Sequence, residues 1–193
     1  MANGSKRCRD IKKRIQKLKN KYYFRERITG PTQGQMDDLR AFTLLCHAEF
    51  EVYFESLAIS ILDRAKKRWD SKHVANYNLA CLFVNQDRIE KKQSVSTKIE
   101  KIYSDFRKSI EHNNGMKRDN ILKLFEPLGY EEGDFDSAFL ADIDSLGSKR
   151  GNFAHCSFKT AQIESLRGIY GLVDRIADGL VEFEEVITNK TLN

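Results

Sequence analysis

Arg150, Asn152 and His155 stand within six residues of one another, in the run Leu146-Gly147-Ser148-Lys149-Arg150-Gly151-Asn152-Phe153-Ala154-His155-Cys156. Their types suit cleavage of a phosphodiester. An arginine holds a phosphate through two parallel charge-assisted hydrogen bonds. A histidine takes or gives a proton near neutral pH. Together they are enough for cleavage without a metal, and Asn152 is placed to position phosphoryl oxygens. The plain alternative is coincidence. The chain has 33 Lys and Arg residues, and short motifs match by accident often.

The elements around this run must bring its side chains together. Positions five apart on an unbroken α-helix are turned about 140° from each other. Gly147 and Gly151 loosen a helix. The sequence therefore predicts a helix over about 136–146, a break in the motif, and Arg150 and His155 meeting at the junction. Upstream, residues 36–69 read as a helix with an apolar centre containing Leu39, Phe42, Leu45, Cys46, Tyr53, Phe54, Leu57 and Ile61. His47, Glu51 and Glu55 interrupt it at i, i+4 and i+8, forming one polar stripe. Such a stripe is either a solvent-facing side, the commoner case, or the lining of a cleft.

Arg150 to His155 spells R-x4-H ahead of a long amphipathic segment, and Arg40-Ala41-Phe42-Thr43-Leu44-Leu45-Cys46-His47-Ala48-Glu49-Phe50-Glu51 reads as a helix. This pairing resembles the HEPN superfamily of all-α ribonucleases and nucleotide-binding domains, whose signature is an R-x4-6-H motif near the start of a late helix. The stretch His47-Ala48-x-x-Glu51 is similar to the second helix of the RiboL-PSP-type branch. The resemblance covers roughly residues 36–188. There is one departure: many catalytic members carry a polar residue directly after the arginine, whereas here Gly151 follows and the amide comes at Asn152. The resemblance implies a catalytic set of Arg150, Asn152 and His155, with His47 and Glu51 supporting. Glu51 is the stripe residue expected to approach Arg150. It also implies a homodimer in which two copies of the motif face one scissile phosphate, consistent with the twofold symmetry usual for homodimers.

The chain has 193 residues and a net charge of +5, a length that fits one domain, or a domain with an arm. The charge is local. Residues 1–28 hold eleven basic and two acidic residues, a net of +9, leaving 5 − 9 = −4 for residues 29–193. The expected organisation is a basic helical arm and loop over 1–34 and a HEPN-like helical domain over 35–193. In the arm, Ile11, Ile15, Leu18 and Tyr22 recur at helical spacing, so one stripe is apolar and the rest basic. The arm either binds phosphates or packs its stripe on the bundle and solvates its lysines. Lys12, Lys13, Arg14 and Lys17, together with Lys149, are the candidate nucleic-acid contacts.

Two prolines and few alternating β-branched runs point to an all-α antiparallel helical bundle. Helices are expected over 95–112, 118–125 and 160–188, and a short buried helix or linker over 74–86. His112 precedes Asn113-Asn114-Gly115, a helix stop, and its place at a helix end favours a structural role. Cys8, Cys46, Cys81 and Cys156 form no C-x-x-C pair and no zinc spacing. Cys46 and Cys81 read as core thiols. No apolar run reaches membrane-spanning length, and the first residues carry no secretory signal. The expected setting is a reducing cytoplasm.

The leading expectation is a metal-independent endoribonuclease with no cofactor. It would act as a toxin or effector in prokaryotic defence against phage, with RNA as substrate and an antitoxin or defence-system protein as a possible partner. The rivals are a non-catalytic HEPN module that binds nucleotide, RNA or a partner protein, and a purely structural helical adaptor.

Overall fold

A 40-residue helix, Gln33–Lys72 (α2), forms the axis of the molecule and spans about 60 Å at 1.5 Å per residue. In this computed structural model, residues 4–23, 30–85, 94–155 and 165–192 are described, with side chains up to residue 153 in the third stretch and residue 190 in the last. α2 begins three residues before the expected boundary because Thr32 and Gln35 cap each other. The Gln35 backbone N–H donates to Thr32 Oγ1, and the Thr32 N–H donates to Gln35 Oε1. It ends where His73 takes up the left-handed region, at φ 53°.

Around α2 pack Lys6–Lys21 (α1), Tyr77–Val84 (α3), Val95–Glu111 (α4), Arg118–Phe125 (α5), Ser137–His155 (α6) and Leu166–Leu192 (α7). No strand occurs among the described residues, so the chain is an all-α bundle. α2 meets each of the other six helices. Its buried residues, from Met36 to Ala65, accordingly recur every three or four positions along most of its length.

The expected packing of the second helix on the last is present. The Phe42 ring lies 4.6 Å from Tyr170, and Phe54 lies 5.4 Å from Phe183. Phe125, Phe135 and Phe139 complete an aromatic cluster around Phe183, with Phe135 stacked on it at 4.6 Å. Gly179 on α7 makes room for this cluster, because a Cβ there would run into the Phe139 ring.

α1 belongs to the same core. Its buried stripe of Cys8, Ile11, Ile15 and Leu18 joins one continuous cluster with α2 and α7. Ser5 caps α1 by accepting from the Cys8 N–H. Its hydroxyl in turn donates to the buried carboxylate of Glu184, 2.8 Å away on α7. Tyr53 donates to that same oxygen at 2.7 Å, and burial beside Glu184 pushes its hydroxyl pKa up.

Ser94 caps α4, its Oγ accepting from the Thr97 N–H. His112 ends α4 with Nδ1 2.7 Å from the Lys108 carbonyl, a structural contact. α3 occupies 77–84 within the uncertain 74–86 stretch, and Asn78 inside it donates to the Leu128 carbonyl. Cys46 is buried and Cys81 half-buried; Cys8, not singled out by the sequence, is buried as well. Cys156 and residues 160–164 of the expected last helix lie outside the described residues. No described helix is long and apolar enough to cross a membrane.

Candidate functional site

α6 carries the motif, and it does not break there. It runs from Ser137 to His155 as one α-helix, through both glycines. The expected junction is absent for a local reason. Gly147 is buried against α5, where a Cβ would come within 2.7 Å of Lys117 Cγ. The glycine thus serves a close approach between elements. Two glycines cost a helix about 1 kcal/mol each. Burial of Phe139, Leu140, Ile143 and Leu146 offsets that cost. Two caps also fix the run: Asp136 accepts from the Phe139 N–H at 2.7 Å, and Asp144 accepts from the Arg118 N–H at 2.7 Å.

The stripe on α2 faces inward. His47 is only 4 % exposed, and Glu51 and Glu55 are half-buried, so the solvent-facing alternative is excluded. Buried carboxylates need donors, and the turn after α4 supplies them. The Gly115 N–H donates to Glu51 Oε1. Asn113 Nδ2 donates to Glu55 Oε1 at 3.1 Å and to the Gly115 carbonyl at 2.9 Å. Gly115 sits at φ 112°, a conformation that favours glycine. In the sequence, Asn113-Asn114-Gly115 is legible only as a stop signal; its service to the two glutamates is not.

Glu51 Oε2 also lies 3.8 Å from His47 Nδ1. Burial lowers the His47 pKa, the nearby Arg150 charge lowers it further, and Glu51 works the other way. The net direction is down, so His47 is a neutral imidazole. Burial also raises the Glu55 pKa, as does its neighbour Glu51, while the Asn113 hydrogen bond lowers it.

Arg150 is exposed and close enough to His47 to shift it. No ion pair to Arg150, with Glu51 or any other acid, occurs among the described residues. The expected partner Glu51 is thus one residue removed, with His47 as the group that senses the arginine. Asn152 is exposed, and Lys149 is half-buried and engaged in a contact. His155 closes α6, and its side chain lies outside the described residues.

The candidate nucleic-acid contacts of α1 divide. Lys12 pairs with Asp178 of α7 at 2.9 Å, and Arg14 with Glu49 of α2 at 2.7 Å. Lys13 and Lys17 are exposed, with no ion pair among the described residues. Lys19, not among the candidates, pairs with Asp174 at 2.7 Å. No three His, Cys, Asp or Glu side chains among the described residues converge where a metal could sit.

An all-α bundle with an R-x4-H run on its penultimate helix and a buried His-Glu stripe facing it defines a HEPN-type domain. The family RiboL-PSP-HEPN matches residues 6–189, and the chain belongs to it. The match begins at α1, so the basic helix lies within the family's extent. No curated protein and no solved structure gives a match.

Proposed function

We propose that this protein is a metal-independent endoribonuclease of the HEPN type. Arg150 binds the scissile phosphate and stabilises the charge that develops on its oxygens. Asn152, turned about 160° from Arg150 but about 60° from His155 on the same helix, helps to hold those oxygens from a second copy. One His155 removes the proton of a 2′-hydroxyl, whose oxygen attacks the adjacent phosphorus. As the P–O5′ bond breaks, the His155 of a second copy protonates the departing 5′-oxygen. The products are a 2′,3′-cyclic phosphate and a 5′-hydroxyl. A second copy suits the geometry of α6, because positions 150 and 155 on an unbroken helix are turned about 140° apart.

The observation that carries the reading is the state of Arg150 beside His47, in a chain of this family. A carboxylate in direct contact would occupy the guanidinium. Instead Glu51 accepts from the Gly115 N–H, and burial favours the neutral form of His47. The arginine keeps its hydrogen-bonding fork for a phosphate. His47 and Glu51 are therefore positioning residues. The setting we propose is a cytoplasmic toxin or defence effector against phage, working as a homodimer and held in check by a partner protein.

The test is incubation of purified protein with end-labelled RNA in EDTA. Cleavage leaving 2′,3′-cyclic phosphate ends supports the reading. Intact RNA, with the protein folded and dimeric, favours a non-catalytic HEPN module.

A further inference from the structure

The cations of α1 are sorted by direction. On its two flanks Lys12 meets Asp178, Lys19 meets Asp174 and Arg14 meets Glu49, all acids of the body. Lys6, Lys13 and Lys17 point elsewhere. At 100° per residue they fall within about 40° of one another, on the side opposite the buried Ile11 and Ile15. All three are exposed, and none has an ion pair among the described residues. They mark out about 16 Å of helix. Asp10, the single acid of α1, is the only opposing charge the helix itself offers. Just past its C-terminal end stands Tyr23, with 69 % of its surface exposed.

A row of unpaired cations followed by an exposed aromatic ring is the combination that holds single-stranded nucleic acid. Lysines track the phosphates, and a ring offers a face on which a base stacks. We propose that the outer ridge of α1 is a second RNA-contact surface, with Lys6, Lys13 and Lys17 on phosphates and Tyr23 under a base. The choice of RNA rests on the ribonuclease reading above. The ridge lies away from the motif. Glu49, which anchors α1, is turned about 160° round α2 from both His47 and Glu51. A strand bound to the ridge reaches Arg150 only if it is long enough to pass round the bundle. The surface therefore selects for substrate length and leaves the chemical step untouched.

The experiment uses the full chain and fluorescent 2′-O-methyl oligoribonucleotides, which bind but cannot be cleaved through the 2′-oxygen. Anisotropy is read across a salt series for a long probe and for a short one of about six nucleotides, within the reach of one binding site. Lys13→Glu/Lys17→Glu is expected to weaken the long probe at least tenfold. It should also flatten its log–log salt slope by about 1.4, the loss of two phosphate contacts on a single strand. Tyr23→Ala is expected to weaken it roughly tenfold with the slope unchanged. Lys19→Gln, which removes a flank pair instead, should change neither. The proposal is overturned if the ridge variant, folded by circular dichroism, binds the long probe with wild-type affinity and slope. It is also overturned if the flank variant loses as much. The two readings fail separately: ridge-independent binding beside intact EDTA-resistant cleavage removes only the ridge, and ridge-dependent binding without cleavage removes only the nuclease.

Discussion

On one side of α2, Arg14 meets Glu49 at 2.7 Å; on the other, Arg150 comes close to His47 with no carboxylate of its own among the described residues. Both arginines lie against the same helix. On the α1 side, positive charge is part of the assembly: Lys12, Arg14 and Lys19 are each matched by an acid from α2 or α7. On the α6 side, the acids are present but already committed to backbone and amide donors. A bundle can therefore pair cations on one side of its central helix and leave Arg150 without an acid among the described residues on the other. The matching shows in the partners, which sequence charge counts do not reveal.

The sharpest way to break this contrast is at the motif. His155→Ala is expected to lower RNA cleavage by about two to four orders of magnitude, the usual contribution of a general acid or base. Arg150→Lys should not restore full activity, because an ammonium lacks the paired donors. Cleavage rate and melting temperature are read on the same preparations; a stable His155→Ala protein with full activity would remove the assignment.

The next effect in size concerns the buried acid. Glu51→Ala leaves the Gly115 N–H without its acceptor and is expected to destabilise the fold by about 1–3 kcal/mol, measured by urea unfolding. A change within error would mean that the turn at 113–115 closes on water just as well.

A smaller, pH-dependent effect follows from His47. Its pKa in the fold is below the ordinary value of 6.5, so the unfolded chain takes up the proton first. Stability contributed by neutral His47 is present above pH 6.5 and is lost as pH falls from there through the lower pKa of the fold. Melting curves between pH 7.5 and 5.5 should show this slope, and His47→Gln should flatten it. A slope unchanged in His47→Gln would assign it to another group.

Smallest of all is the α1 flank. Lys12→Gln is expected to cost under about 1 kcal/mol, since the pair it breaks is solvent-exposed. A loss as large as that of Glu51→Ala would erase the distinction between the two sides.

Helix positions were legible from periodicity because burial on α2, α4 and α7 follows a regular repeat. The buried stripe of α1 was legible for the same reason, whereas its partition of lysines was not. Lys12 and Lys13 are adjacent and chemically alike; only the placement of Asp178 on α7 separates them. The continuity of α6 was misread because Gly147 looks the same in sequence whether it breaks a helix or admits Lys117. The inward turn of His47 and Glu51 was one of two alternatives that spacing left open. The decision came from Gly115, 64 residues further on.

The contact of Ser5 with Glu184 spans 179 residues of chain. At translation rates of roughly 5–20 residues per second, about ten to forty seconds separate the synthesis of α1 from that of its anchor. For that time α1 has α2, the next helix in the chain, to pack on, but Asp174, Asp178 and Glu184 of α7 do not yet exist. It is surrounded by the ribosome's own RNA, a polyanion that attracts any strongly basic segment. The α7 half of the α1 docking is thus a late, non-local event, and a nascent chain that stalls before residue 174 leaves Lys12, Lys19 and Ser5 without their carboxylates.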